Sequence, residues 1–94
     1  MSRPGISDDC AARYGIALRV LARNGFARRL LPRISDPAAI HRALELLTAD
    51  LPLESPERTT LEAVVAAGPY TFKSFCARHA EWARSVIEEV TTCS

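Results

Sequence analysis

The sequence predicts an all-α protein, a compact antiparallel array of four to five helices that is expected to form a dimer. Apolar residues recur at three- and four-residue intervals along most of the chain. Capping residues, prolines and glycines separate these stretches, and no alternating β-branched run indicates a strand. Its 94 residues predict one helical domain over 1–94, with flexible ends at 1–6 and 91–94. A core this small favours dimerisation as a source of further burial.

The first helix is predicted to begin at Ser7, whose hydroxyl can cap a first turn that contains Asp8 and Asp9. Asn24-Gly25 is a stop or kink signal, and a helical pattern resumes from Phe26 to Pro32. We therefore expect one helix that is broken or bent near residue 25.

Two further helices have clear start and stop signals. Asp36 is a predicted N-cap followed by Pro37 at the first helical position, and Pro52 ends this second helix. Ser55-Pro56-Glu57 repeats the same pattern at the start of a third helix. Gly68 is expected to end that helix, with Pro69 preventing its continuation.

The fourth predicted helix begins near Thr71 and continues as one element towards Val90, because its apolar residues follow a nearly heptad spacing. Large aromatic side chains are frequent in protein interfaces. We expect a dimer or partner interface at this helix and its approach, formed by Tyr70, Phe72, Phe75, His79, Trp82 and Val86. The alternative is that these residues form the core of one protomer. A histidine in such an interface would make association depend on pH.

Charge is divided unevenly along the chain. Residues 1–34 carry seven arginines against two aspartates, whereas residues 35–94 carry five cations against nine acids, so the net charges are +5 and −4. Guanidinium groups pair well with carboxylates and phosphates. The predicted partner-binding residues are therefore Arg19, Arg23, Arg28, Arg29 and Arg33. The alternative is an ordinary solvated basic face.

Reactive groups are few. Cys76 and His79 share a helical face, but the sequence offers no second ligand pair at the spacing of a zinc site, so we expect no metal and no cofactor. No nucleophile has an identifiable base, which predicts a protein that is not an enzyme. Three cysteines form no disulfide framework, and neither a signal segment nor a membrane span is recognisable, which predicts a cytoplasmic protein.

The predicted function is that of a non-catalytic regulatory or inhibitory module, which occludes a partner protein, such as a transcription regulator, through helical surfaces. The alternative is a small helix-turn-helix-like DNA-binding regulator that uses residues 11–29, with Gly15 in the turn. In the competing structural interpretation, Gly15 lies within an uninterrupted helix and a neighbouring element packs closely against it. Duplex binding that weakens with salt would distinguish the DNA-binding alternative.

Overall fold

Helices account for nearly all of the chain whose structure is described. The computed structural model describes residues 8–26 and 36–92, and within them there are five helices and no strand. The helices are α1 (Asp8–Arg23), α2 (Pro37–Ala49), α3 (Pro56–Ala67), α4 (Pro69–Arg78) and α5 (Ala80–Thr92). The predicted all-α class is therefore confirmed. The radius of gyration of the Cα atoms is 12.3 Å, close to the roughly 12 Å of a compact chain of this length.

The central element is α1, which packs against α2, α3 and α5. Its Ala17, Leu18 and Leu21 side chains are fully buried. Because neighbours surround it on several sides, α1 needs more apolar surface than a helix with one face in water. Its 16 residues make it the longest described helix, and no described helix is both long and apolar enough to cross a membrane.

The predicted helix starts agree with the structure at two proline positions. Asp36 caps α2, and its side chain accepts a hydrogen bond from the backbone N–H of Ala39 at 3.2 Å. Ser55 occupies the N-cap position of α3 without a hydrogen bond from its side chain. The α1 helix ends at Arg23, next to the predicted Asn24-Gly25 signal, and Gly25 has a φ of +88°. The predicted continuation over residues 27–31 lies outside the described residues.

The fourth predicted helix is wrong in its extent, since the structure divides it into α4 and α5. Gly68 ends α3 and begins α4 with a φ of +93°, so that Pro69 is the first residue of α4 instead of a barrier before it. His79 then leaves the helical conformation, with φ −122° and ψ 46°. No proline or glycine marks this break, and apolar residues on both sides of it face the same core. Periodicity alone therefore could not reveal it. The α5 helix also includes Thr91 and Thr92, so the predicted flexible end at 91–94 is wrong for these two residues.

The expected antiparallel arrangement applies to α2 and α3. His41, early in α2, contacts Val65, late in α3, whereas Leu51, just after α2, contacts Arg58, early in α3. The pair α1 and α5 differs, because Gly15 lies beside Trp82 and Arg19 lies beside Glu89. These contacts follow the same order along both helices. The break at His79 lets α5 extend in this direction after α4.

Candidate functional site

Half of the residues predicted as a dimer or partner interface are part of the core. Phe72, Phe75 and Val86 are buried, whereas Tyr70 is 73% exposed. Trp82 is partly exposed and meets Phe75 edge to face, with 5.6 Å between ring centroids. Three of the six predicted interface residues therefore fill the interior of the described chain, and Tyr70 lies on the surface.

Tyr14 of α1 completes this aromatic cluster. Its ring stacks on Phe75 with 4.3 Å between centroids and on Phe72 with 5.8 Å. Burial raises the pKa of Tyr14, and the nearby Cys10 raises it further. The 4.8 Å contact between Phe75 and His79 extends the cluster to the end of α4. Tyr14 lies at a core-facing position in the apolar stripe of α1, so the sequence indicated that its side chain is buried. The sequence did not indicate that Phe72 and Phe75 are its partners.

Cys76 belongs to the same interior and is not part of a reactive pair. The thiol is buried, and desolvation raises its pKa to about 12. It is therefore held protonated at neutral pH, and only the thiolate is a strong nucleophile or metal ligand. His79, three residues later, packs its ring against Phe75 at the helix break. Among residues 8–26 and 36–92, no group of three or more metal-ligating side chains comes together.

Two of the predicted partner-binding arginines pair with acids of the same chain. A 3.3 Å ion pair joins Arg23 to Glu57 of α3, and a 3.6 Å ion pair joins Arg19 to Glu89 of α5. All four side chains are substantially exposed, so each pair contributes little to stability. The folded chain thus brings part of its acidic half beside α1. Arg28, Arg29 and Arg33 lie outside the described residues.

Gly15 lies inside α1 and is buried, so this helix has no turn at the position where the helix-turn-helix alternative requires one. The competing structural interpretation agrees with the observed packing. A Cβ atom at Gly15 would lie 3.7 Å from the Trp82 ring. Arg19 and Arg23 consequently extend from the same continuous helix as Gly15 and not from a separate recognition helix.

An open groove lies between α2 and α3, and we call it the α2–α3 groove. It has a volume of about 340 Å³ and is lined by Glu45, Thr48, Ala49, Arg58, Glu62, Val65 and Ala66. Small side chains leave room between the two helices, and a carboxylate stands on each helix. None of these residues is among the predicted site residues. The sequence features that could have pointed to this groove are two i,i+4 charge pairs, His41 with Glu45 and Arg58 with Glu62.

Arg58 occupies one end of the α2–α3 groove. One of its terminal nitrogens, Nη1, donates to the carbonyl oxygen of Leu51 at 2.8 Å, which fixes the guanidinium beneath the loop between the helices. The Nε atom is buried and has no hydrogen-bond acceptor among the described residues. A carboxylate oxygen of Glu62 lies 3.8 Å from it, within ion-pair distance but too far for a hydrogen bond. Glu62 is therefore held only loosely by Arg58.

His41 lies beside two residues that line the groove and links α2 to α3. Its Nε2 atom is 2.9 Å from the carbonyl oxygen of Val65, and its Nδ1 atom is 3.0 Å from a carboxylate oxygen of Glu45. Both ring nitrogens thus face acceptors.

Comparisons with protein-family models, with curated proteins and with solved structures gave no match.

Proposed function

We propose that this chain is a non-catalytic regulatory module that binds a partner protein and occludes it, and that the α2–α3 groove is a binding surface. One observation carries the proposal. Glu45 of α2 and Glu62 of α3 stand on opposite sides of an open groove, and their side chains are 54% and 59% exposed. Both accessible carboxylates line the same groove, so a cationic side chain bound there would meet negative charge from both helices.

The occupant that fits this groove is a segment of a partner protein that carries a lysine or arginine flanked by small apolar side chains. Although Arg58 also lines the groove, its side chain is only 20% exposed and is engaged by Leu51. The accessible charge is therefore negative. Ala49, Ala66 and Val65 provide an apolar surface for the stem and neighbours of the cation. Complementary charge would set the register and the rate of association more than the final affinity.

A binding role agrees with the burial of the reactive and aromatic side chains in the core. Cys76 is held protonated within the core, and the aromatic cluster around Phe75 is occupied by contacts between helices. The groove, in contrast, has space for one or two partner side chains. A module of this kind would inhibit by covering a partner surface. The predicted partner-binding residues Arg28, Arg29 and Arg33 remain a second candidate surface. Charge reversal at Arg28 and Arg29 is expected to weaken partner binding without unfolding the chain.

The test uses two helical alanine-rich peptides that are identical except for a central lysine or glutamate. We expect the lysine peptide to shift the backbone amide NMR signals of α2 and α3 around the groove, and the glutamate peptide to leave them unchanged. The double variant Glu45→Gln/Glu62→Gln should bind the lysine peptide about fivefold to twentyfold more weakly, as two exposed charge contacts are lost.

The matched control is Glu81→Gln/Glu88→Gln, which removes the same charge from the exposed face of α5. Its affinity for the lysine peptide should equal that of the wild type. Equal weakening in both double variants would show attraction to overall charge and would refute the groove as the site. If the groove variant instead abolishes self-association measured by sedimentation, the occupant is a second copy, and the proposal of a different partner is overturned.

A further inference from the structure

We infer that His41 regulates the α2–α3 groove by pH, because its protonated ring engages Glu45 and withdraws that carboxylate from a bound cation. This inference rests on the proposed function. Its starting observation is that Nε2 and Nδ1 of one ring lie 2.9 Å and 3.0 Å from acceptors on two different helices. Val65 and Glu45, which supply these acceptors, both line the groove.

The number of ring protons decides how many of these contacts are hydrogen bonds. A neutral imidazole has one N–H donor, whereas an imidazolium has two. Neither the carbonyl oxygen of Val65 nor an ionised carboxylate of Glu45 can donate in return. Only the protonated ring therefore satisfies both acceptors at once. The neutral ring can donate to only one of them, and Glu45, which is more exposed to water, is the partner more easily released.

The charges around His41 leave Glu45 as its ionic partner. Of the charged groups on α3, Arg58 and Glu62 lie across the same groove and pair with each other. The neighbouring Arg42 on α2 is exposed. The helices α1 and α4 also pack against α2. The described acids of α1, Asp8 and Asp9, form no ion pair with the ring, and α4 contains no acid. The cations of these two helices are Arg13, Arg19, Arg23, Lys73 and Arg78.

Protonation therefore changes the groove in two ways that act in the same direction. It adds a positive charge beside the groove, and it holds the Glu45 carboxylate in an internal ion pair. Histidine is the side chain that commonly changes charge between about pH 5 and 8. Affinity for a cationic segment should consequently rise as the pH increases through this range. Losing the use of one exposed carboxylate corresponds to a change of roughly threefold to fivefold in the dissociation constant.

The first measurement needs no partner. At about pH 5.5, solvent exchange of the histidine ring protons is followed by NMR in the wild type and in Glu45→Gln. We expect the Nδ1–H of His41 to be protected from exchange in the wild type and to exchange faster in the variant, with the ring protons of His79 unchanged. An Nδ1–H that exchanges freely in the wild type would refute the link between His41 and Glu45 and leave the proposed function untouched.

The second measurement compares the affinity for the lysine peptide at about pH 5.5 and about pH 8. The wild type and the control His79→Gln should bind more tightly at the higher pH, whereas His41→Gln should bind equally at both. Circular dichroism verifies that each variant is folded. Retention of the full pH dependence in His41→Gln would overturn the inference. Absence of peptide binding at both pH values would refute the proposed function itself.

Discussion

The ring of Trp82 covers Gly15. A Cβ atom at Gly15 would lie 3.7 Å from Cζ2 and 3.9 Å from Cη2 of that ring. Both distances are ordinary van der Waals contacts, so the approach of α5 to α1 leaves space for a methyl group but not for a larger side chain. Gly15 also lies in the interior of α1 and needs no unusual backbone conformation there.

Gly15→Ala is therefore expected to stabilise the protein. An alanine in a helix interior is favoured over glycine by about 1 kcal/mol, and the new methyl group would contact the Trp82 ring without displacing it. Urea unfolding followed by circular dichroism measures the change in free energy of unfolding. Gly15→Leu is the paired variant and should destabilise, because its longer side chain must move Trp82. A less stable Gly15→Ala protein would show that the space beneath the ring is already filled.

The stacked rings of Tyr14 and Phe75 should contribute an interaction beyond the area that they bury. We expect a double-mutant cycle with Tyr14→Leu and Phe75→Leu to give a coupling energy of about 1 kcal/mol. Tyr70→Leu is the control, since its exposed side chain should change stability by less than about 0.5 kcal/mol. Additive effects of Tyr14→Leu and Phe75→Leu would contradict a stabilising stack.

Replacing Trp82 tests whether its ring packs within one protomer or between two protomers. Because its ring touches Gly15 and Phe75 of the same chain, Trp82→Ala should cost about 3 kcal/mol at every protein concentration. Thermal unfolding at several concentrations also tests the predicted dimer, whose midpoint must rise with concentration. A loss of stability in Trp82→Ala that disappears in dilute solution would place the ring in a dimer interface instead.

Cys76 should make stability decline at alkaline pH. Its pKa is raised from 9.0 to about 12 by desolvation in the fold. Between these values the unfolded chain loses the thiol proton and the folded chain keeps it. Unfolding is thus favoured by about 1 kcal/mol per pH unit in this range. The raised pKa of Tyr14 acts in the same direction.

Comparing the wild type with Cys76→Ala gives the contribution of the thiol to the pH dependence of stability. This variant is expected to be less stable at neutral pH because it leaves a cavity. Its stability should nevertheless fall less steeply above about pH 9, with the remaining slope due in part to Tyr14. The measurement is urea unfolding at a series of alkaline pH values. Identical slopes in the two proteins would mean that the thiol ionises equally in the folded and unfolded states.

The helix starts were predictable because local chemistry determines them. Asp36-Pro37 and Ser55-Pro56 restrict the backbone within a few residues, and both mark the observed starts. The break at His79 was not predictable, since the residues on both sides of it face one core and preserve the apolar spacing. The α2–α3 groove was missed for a related reason. It depends on how two helices pack against each other, and the nearby i,i+4 charge pairs also occur on ordinary exposed helices.

Gly68 is both the C-cap of α3 and the N-cap of α4, so these two helices are joined by a single residue. Each inserted residue would turn α4 about its axis by about 100°. Phe72 and Phe75 would then rotate away from Tyr14, and the interior would lose both phenylalanine rings. The length of this corner is thus as restrictive as the identity of any core side chain, whereas the longer connection from α2 to α3 can absorb a change in length.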